Sequence, residues 1–296
     1  MRLFLFGLLL MSTAQAEESR SQEETNPPLQ VSLVSEVTAI QPGTPFTVGL
    51  FLQHAPDHHS YWRYPGIVGV PTQIRWNLPA GFTAGPIQWP TPKRVDMRGY
   101  EAHGYNKDTL LMVEITPPST LNTPTVRLSG NASWMCCSQK QCHPGYAEIE
   151  SILPVVTSDA APSWNPDWRK RFEKTRSQRP GPLRSWKIQV AQADPKTIRL
   201  HLRPQSPEVP PLVDPYFFST NGLIASNETQ RLEAATDGVI LHLVRNPFAE
   251  KGLNRVEGLL VHSGRWSKSG EKAAGKARRL SCPLPPGEKK PSEGLQ

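Results

Sequence analysis

The sequence lacks an apolar run long enough to span a lipid bilayer. The longest such run covers only residues 3–11, about half of the roughly 20 residues that a membrane-crossing helix needs. It follows Arg2 and precedes three mostly small residues at positions 14–16, which is the layout of a secretory signal peptide. We therefore expect residues 1–16 to be removed during export. The mature chain is expected to be soluble, without a transmembrane segment, in the periplasm or another exported compartment where disulfides persist.

The sequence also lacks the pattern of a nucleic-acid-binding surface. Its formal net charge is +7, and a basic balance of that size can indicate binding to nucleic acid or to a membrane surface. Much of the excess falls in one segment, residues 265–280, and no basic stripe is interleaved with aromatic residues. We expect this segment to be solvated and expect no nucleic-acid partner.

Long segments without proline are scarce. The chain contains 31 prolines, and proline is excluded from helix interiors and from central strands. Between the prolines lie short segments in which apolar residues recur with a period of two, as is typical of β-strands. These segments are residues 46–53, 109–115, 125–130, 131–136 and 146–155, and later 185–191, 197–203, 238–244 and 256–262. The pattern predicts an all-β protein whose first half is a sandwich.

One stretch departs from the β pattern. Within it, Asn165 and Pro166 suit the N-cap and the first position of a helix, and Pro180 ends the helix. The predicted organisation is a signal peptide (1–16), a β-sandwich (29–157), a helical linker (158–182), a second, smaller β domain (183–285) and a disordered tail (286–296).

Cysteine is rare, and three of the four residues fall in the segment WMCCSQKQCHPG at 134–145. Cys137 and Cys142 lie at two strand ends joined by a tight connection, which suits the Cα separation of a disulfide. Cys136 points to the opposite face because side chains alternate along a strand, and we expect it to be a small buried residue. Four cysteines allow three pairings, and a bridge between Cys136 and Cys282 stays open at this point.

Two other hypotheses compete with a reactive disulfide. A copper or zinc site would draw on the cysteines, on His143 and on the group His54, His58 and His59, but the sequence lacks the paired CxxC units of closed zinc sites. A non-enzymatic binding module with a structural disulfide is the second alternative, because exported β domains often carry inert disulfides. We expect neither a cofactor nor a bound metal.

Three blocks of the sequence carry a resemblance to a known family. They are YWRYPGIVGVPTQIRWNLPAGFTAGPIQWPTPKR (61–94), GYEAHGYNKDTLLMVEIT (99–116) and WMCCSQKQCHPGYAEIE (134–150). Together they resemble the periplasmic N-terminal region of the thiol:disulfide interchange protein DsbD, in the longer form of the ScsB branch, which is associated with copper-stress redox chemistry. The second half of the chain resembles the segment that follows in those longer members.

The resemblance implies an immunoglobulin-like domain in which a cysteine pair, Cys137 and Cys142 by position, carries electrons. In the family such a domain is a component of a protein-disulfide reductase. It receives electrons from a membrane-embedded domain and passes them to exported thioredoxin-like partners. Because this chain ends without the membrane and thioredoxin domains of full-length members, we expect the electron donor to be a separate membrane protein.

The resemblance also implies a cap loop that shields the cysteine pair. By position the loop falls near residues 95–105, beside the segment that contains Tyr61 and Trp62. The aromatic candidates for shielding the pair are therefore Tyr61, Trp62, Tyr100 and Tyr105.

The surroundings of the pair depart from the family pattern at His143 and at the additional cysteine, Cys136. His143 stands where an apolar residue is expected. It and Lys140 are the nearby candidates to favour a thiolate, because a strand end lacks the helix N-terminus that lowers cysteine pKa values in thioredoxin-type motifs. Between the two cysteines, Cys142, which leads toward Pro144, is our choice for the attacking residue.

Overall fold

The computed structural model describes residues 27–156, 163–192, 194–266 and 277–285. The predicted signal peptide and the predicted tail lie outside these ranges, as do the first residues of the predicted linker and most of the basic segment. Among the described residues, no helix has the length and apolar character needed to cross a membrane.

Two β-sheets form a sandwich in the first half of the chain. One sheet contains, in spatial order, β1 (Leu29–Ser35), β2 (Phe46–His54), β8 (Thr109–Thr116) and β5 (Thr83–Ala84). The other contains β10 (Cys142–Pro154), β9 (Thr125–Cys137), β3 (His59–Gly66), β7 (Tyr100–Tyr105) and β6 (Lys93–Met97), with β4 (Gln73–Asn77) also paired to β9. All of the pairings are antiparallel.

Alternation along these strands fills one core between the two sheets. In β2 the side chains of Val48, Leu50 and Leu52 are fully buried, and they share a cluster with Leu128 of β9. Burying one such aliphatic side chain contributes roughly 1.5–3 kcal/mol. This cluster, which we call the large core, is therefore the main source of cohesion between the sheets.

Helix α1 (Arg169–Ser177) begins three residues later than the predicted first helical position. The Asn165 side chain accepts a hydrogen bond from the Asp167 N–H at 3.1 Å, and the Arg169 N–H donates to the Asn165 carbonyl at 2.9 Å. Asn165 thus caps a turn that leads into the helix.

The helix packs on the outer face of the first sheet. Phe172 is fully buried against Leu110 and Met112. Arg176 forms two hydrogen bonds, at 2.9 and 2.7 Å, with the buried carboxylate of Glu36. The segment between the two halves is therefore anchored to the first half by an apolar contact and a two-point ion pair.

The second half contains two further four-stranded sheets. One has the order β11 (Gly181–Pro182), β18 (Ala277–Pro283), β17 (Arg255–Val261) and β14 (Tyr216–Ser219). The other has the order β12 (Trp186–Gln192), β13 (Thr197–Pro204), β16 (Gly238–Val244) and β15 (Arg231–Ala235). Their facing side chains form a second core.

The sheet that contains β14 is buried on both faces. Phe217 and Leu260 point into the second core, whereas their neighbours Tyr216, Phe218 and Leu259 belong to the large core of the first half. The two halves are therefore joined by continuous apolar packing.

The predicted fold class is confirmed: the described residues are all-β with one helix and an immunoglobulin-like sandwich. One detail differs, since the predicted segments 125–130 and 131–136 form a single strand, β9. The domain limits placed near residues 157 and 183 stay predictions.

Candidate functional site

Cys137 and Cys142 form a disulfide at the hairpin between β9 and β10. They are partners in the antiparallel register, and their Cα atoms lie 4.0 Å apart. The Ser138 N–H closes the connection by donating to the Gln141 carbonyl at 2.9 Å. Cys136 and Cys282 are free, so the alternative bridge between those two residues is wrong.

Cys136 lies on the other side of the strand from the disulfide. It belongs to the large core, and its Sγ lies 3.5 Å from the Pro28 carbonyl. Burial raises the pKa of the Cys136 thiol to about 12, so it stays a protonated, weakly reactive thiol near neutral pH. The prediction that Cys136 is a small buried residue is confirmed.

The disulfide sits in a small apolar cluster of its own, which we call the disulfide cluster. Its members are Tyr61, Val95, Ala102 and Cys137, with Val68, Met97, Met135 and Cys142 packed against them. Cys137 is 0 % exposed, whereas Cys142 is half-buried. Cys142 is therefore the more accessible cysteine of the two.

A hairpin of β6 and β7, which we call the cap hairpin, lies against the disulfide cluster. Its strands pair up to Met97 and Tyr100, and the two turn residues Arg98 and Gly99 have φ angles of 54° and 86°. Two consecutive positive φ angles define the tight turn that matches the twist of paired strands. Because side chains alternate, Val95 and Met97 share the face that covers the disulfide.

A sulfur–sulfur contact and hydrogen bonds from Gln139 to Asp96 tie the cap hairpin to the cysteine hairpin. The Met97 Sδ lies 3.6 Å from the Cys142 Sγ, and the Gln139 side chain donates to Oδ1 of Asp96 at 2.8 Å. The same carboxylate accepts the Gly99 N–H at 3.0 Å. These hydrogen bonds, the one from Gly99 first, lower the pKa of Asp96, which therefore stays ionised and keeps accepting both bonds across the neutral range.

Tyr61 contacts the disulfide from inside the protein. Its O–H donates to the Cys137 Sγ at 3.1 Å, and Nε2 of His59 lies 3.3 Å from the same phenol oxygen. The register places His59 directly opposite Cys137, and the period of two brings Tyr61 to the same face. A side chain at Gly69 would place its Cβ 2.2 Å from the Tyr61 ring, so glycine is needed where this loop crosses the ring.

Burial determines the charge of both groups. Desolvation raises the pKa of Tyr61 to about 12. Desolvation, followed by repulsion from His58, lowers the pKa of His59, and Asp96 partly opposes this. Tyr61 and His59 are therefore both neutral around pH 7 while the disulfide is intact.

The predicted aromatic residues occupy three different environments. Tyr61 touches the disulfide, while Trp62, next to it, points into the large core. Tyr105 is buried in that core too, where its O–H donates to the Pro90 carbonyl at 2.9 Å. Tyr100, at the tip of the cap hairpin, is 55 % exposed. The structure thus brings Tyr61 alone of the four to the sulfurs, and the shielding role of the other three stays a prediction.

The two candidates for stabilising a thiolate lie away from the sulfurs. His143 is paired with Cys136 in the register, on the face opposite the disulfide, and its ring lies 6.1 Å from the ring of His58. Lys140 is exposed on the connecting loop.

The histidines of the metal hypothesis have separate partners. Nε2 of His54 lies 2.9 Å from the Ser60 hydroxyl, and Nδ1 of His58 lies 2.8 Å from the Pro56 carbonyl. Within the described ranges, no three His, Cys, Asp or Glu side chains are grouped as metal ligands.

From the sequence, His59 is a candidate only as a metal ligand, and no sequence signal points to Met97. The HSYWRY pattern contained the signal that His59 and Tyr61 share a face. What it did not contain was the register with β9, which determines that this face is the one carrying Cys137.

A second histidine–tyrosine pair ties the cap hairpin to the second half of the chain. The Tyr216 O–H donates to Oε1 of Glu101 at 2.7 Å, and Nε2 of His103 lies 3.0 Å from the Tyr216 oxygen. Arg94 donates to the other oxygen of Glu101 at 2.6 Å. Burial lowers the pKa of His103 to about 4. We call His103 and Tyr216 the junction pair, and His59 and Tyr61 the disulfide pair.

Comparison with known proteins identifies the first half. Residues 25–154 match the family described as the N-terminal domain of the thiol:disulfide interchange protein DsbD. The N-terminal periplasmic domain of ScsB from Proteus mirabilis is similar in structure, with a TM-score of 0.61 at 17% sequence identity, over 88% of this chain and 94% of that one. Residues 25–154 therefore correspond to a DsbD N-terminal-like domain, and the fold of the longer ScsB domain extends over most of the chain.

Two further structures resemble the chain too weakly to support an argument. A protein of unknown function from Porphyromonas gingivalis W83 has a TM-score of 0.26 at 12% identity, over 87% of this chain and 100% of that one. The sporulation control protein Spo0M from Bacillus subtilis has a TM-score of 0.23 at 9% identity, over 87% of this chain and 91% of that one. No curated protein matches the sequence.

Proposed function

We propose that this chain is an exported thiol-disulfide exchange protein that passes electrons through the Cys137–Cys142 pair to or from thioredoxin-like partners. The observation that carries the proposal is the unequal exposure of the two cysteines inside a DsbD N-terminal-like domain. Exchange proceeds through a mixed disulfide, so one sulfur must be reachable by a partner while the other is held in reserve.

In the reducing direction, a partner thiolate attacks the Cys142 Sγ. A bond forms between the partner's sulfur and Cys142, and the bond between Cys142 and Cys137 breaks, so that Cys137 leaves with the electron pair as a thiolate. A second thiolate of the partner then attacks its own sulfur in the mixed disulfide and releases Cys142. The partner is oxidised by two electrons and the pair is reduced by two.

The oxidising direction is the reverse. The Cys142 thiolate attacks a partner's disulfide, and Cys137 then attacks the Cys142 sulfur to close the internal disulfide and release the reduced partner. In both directions Cys142 bonds to the partner, and Cys137 completes or opens the internal bond.

The cap hairpin limits access to the Cys137–Cys142 disulfide. Met97 lies against the Cys142 sulfur, so a partner has to displace this side chain to reach the disulfide. The contacts that resist displacement are the Met97 packing and the hydrogen bond from Gln139 to Asp96.

Export belongs to the same proposal, because a disulfide shuttle of this kind works where thiols are oxidised. The motivating observation is the signal-peptide pattern at residues 1–16. Protein recovered from the periplasm should begin at Glu17. A cytoplasmic product with an intact N-terminus would contradict export.

Covalent trapping tests the exchange. The Cys137→Ser variant should form a complex with a thioredoxin that lacks its resolving cysteine and is supplied as its thionitrobenzoate mixed disulfide. The complex should survive denaturing electrophoresis and disappear with dithiothreitol. The matched Cys142→Ser variant, which leaves only the buried sulfur of the pair, should form none.

The outcomes separate the proposal from its alternative. If neither variant forms the complex and thioredoxin does not reduce the wild-type disulfide, the pair is a structural disulfide in a non-enzymatic binding module. A complex with Cys142→Ser and none with Cys137→Ser would reverse the roles of the two cysteines.

A further inference from the structure

The buried sulfur presents a physical problem for exchange. When the disulfide opens, Cys137 receives a negative charge at a position with 0 % exposure. An unpaired charge in such surroundings is costly unless hydrogen bonds compensate for the lost water. Lys140 and His143, the cationic candidates near the pair in sequence, do not face this sulfur.

The side chains that do face the sulfur are Tyr61 and His59, the disulfide pair. The Tyr61 hydroxyl donates directly to the Cys137 Sγ at 3.1 Å, and His59 contacts that hydroxyl at 3.3 Å. The two rings meet edge to face, with centroids 5.2 Å apart. A hydrogen bond to an anionic acceptor is roughly twice as strong as a neutral one, so this bond gains strength when the disulfide breaks.

We propose that Tyr61 is a catalytic hydrogen-bond donor to the Cys137 thiolate, and that His59 is a positioning residue that exchanges a proton with Cys137 through the Tyr61 hydroxyl. This inference rests on the proposed exchange function and specifies how its buried half works.

The proton path balances in each direction. During reduction, the partner's second thiol releases a proton to solvent as it ionises, and His59 takes up a solvent proton at Nδ1. His59 then passes its Nε2 proton to the Tyr61 oxygen while Tyr61 passes its own proton to the Cys137 thiolate. The products are a Cys137 thiol, a neutral tyrosine and a neutral histidine. During oxidation the same groups work in reverse, so that Cys137 becomes a thiolate and can attack the mixed disulfide at Cys142.

The charged and titratable groups around His59 come from three places. Asp96 of the cap hairpin favours a protonated ring, whereas His58 disfavours it. His54 of β2 interacts with His59 as well, and burial keeps His54 itself neutral by lowering its pKa to about 4. Cys136 acts on Tyr61 from the neighbouring strand. Burial and His58 together outweigh Asp96 and lower the pKa of His59, so the ring becomes protonated only below its ordinary pKa, and Asp96 is the carboxylate that supports the protonated form.

The test measures reduction of the oxidised protein by dithiothreitol, with rate constants divided by the reagent's thiolate fraction, from about pH 5 to pH 9. The Tyr61→Phe variant keeps the ring and loses the donor, and it should react about tenfold more slowly at neutral pH. In the wild type the corrected rate should rise as pH falls through the His59 titration. The His59→Gln variant should show no such rise.

Tyr216→Phe is the matched control, because it removes a buried hydroxyl that also contacts a histidine but no sulfur. Its rate and pH profile should follow the wild type. Equal rates for Tyr61→Phe and Tyr216→Phe would overturn the role of Tyr61. A His59→Gln profile identical to the wild type would overturn the role of His59.

Trapping with Cys137→Ser and the reduction rate of Tyr61→Phe together distinguish an error in the proton path from an error in the exchange function. If Cys137→Ser traps thioredoxin while Tyr61→Phe reacts like the wild type, the exchange function stands and the proton path is wrong. If Tyr61→Phe slows small-thiol reduction but no complex with thioredoxin forms, the hydrogen bond stands and the exchange partner is wrong.

Discussion

The disulfide pair and the junction pair contain the same two side chains in similar geometry. Nε2 lies 3.3 Å from the phenol oxygen in the first and 3.0 Å in the second. The rings meet edge to face in both, at 82° and 85°. Burial lowers the histidine pKa in both. They differ in what the tyrosine hydroxyl donates to, which is the Cys137 sulfur in one and the Glu101 carboxylate in the other.

That difference separates reactivity from stability. The disulfide pair lies within one strand, and its Tyr61 hydroxyl donates to the Cys137 sulfur, whose charge changes during exchange. The junction pair joins residues 113 positions apart. Its Tyr216 hydroxyl donates to the Glu101 carboxylate, which Arg94 also binds. We therefore expect changes at the junction pair to alter the free energy of unfolding, and changes at the disulfide pair to alter the rate of thiol exchange.

The largest expected effect comes from removing the ring that supports the junction pair. Phe218 is buried, with ring centroids 4.7 Å from both His103 and Tyr216. Phe218→Ala should lower the free energy of unfolding by about 3–5 kcal/mol, measured by urea denaturation. Phe248→Ala, at a ring that is 90 % exposed, is the control and should change it by less than about 0.5 kcal/mol. A similar small loss for Phe218→Ala would show that the junction contributes little cohesion.

The next effect is a dependence on pH that belongs to the junction pair. The pKa of His103 falls from 6.5 to about 4 on folding, so between these values the unfolded chain binds a proton that the folded chain does not. Stability is therefore complete above pH 6.5 and decreases as pH falls toward 4. The shift corresponds to about 3 kcal/mol.

Urea denaturation of the wild type and of His103→Gln at pH 7.5 and 4.5 isolates this contribution. Other buried histidines titrate in both proteins, and the charged neighbours Glu101 and Arg94 are unchanged. The variant should lose less stability on acidification than the wild type. Equal losses in the two proteins would mean that His103 is already protonated, or is exposed, in the folded state.

The smallest expected effect is on the rate at which a small thiol reduces the disulfide. Met97→Ala removes the side chain that covers the Cys142 sulfur, so reduction by dithiothreitol should become about threefold faster, equivalent to roughly 0.7 kcal/mol in the barrier. Tyr100→Gly, at the cap position opposite Met97, is the control. Because the Tyr100 ring is 55 % exposed, we expect this variant to leave the rate unchanged, against the shielding role that the family resemblance predicts for Tyr100. The reverse pattern would assign the shielding role to Tyr100.

Several elements could be predicted from the sequence because their signals are local. Alternating apolar residues identified the strands, and a tight connection placed Cys137 next to Cys142. The helix was located to within a few residues, although its predicted start was too early. Asn165 produced this error, because its side chain caps a turn before the helix as readily as the helix itself.

The candidate site was predicted less completely, because its members come from distant segments. The family resemblance predicts one group of four aromatic residues near the cysteines. In the structure Tyr61 and Trp62 point to opposite faces of β3, one to the disulfide and the other to the large core. Adjacent positions on a strand always separate in this way, but which face meets the disulfide depends on strand pairing.

The β-rich fold class and the hairpin that holds the disulfide follow from the sequence alone, because period-two patterns and short connections act over a few residues. The side chains that meet the Cys137 sulfur, and the reason why β14 is apolar on both faces, become apparent only in the folded chain. Both depend on contacts across large sequence separations. His59 faces Cys137 through the register of β3 with β9, and Phe218 reaches the large core because the second half packs its sheet against the first. Such contacts depend on how whole sheets pack against each other. They therefore cannot be predicted from the pattern of neighbouring residues.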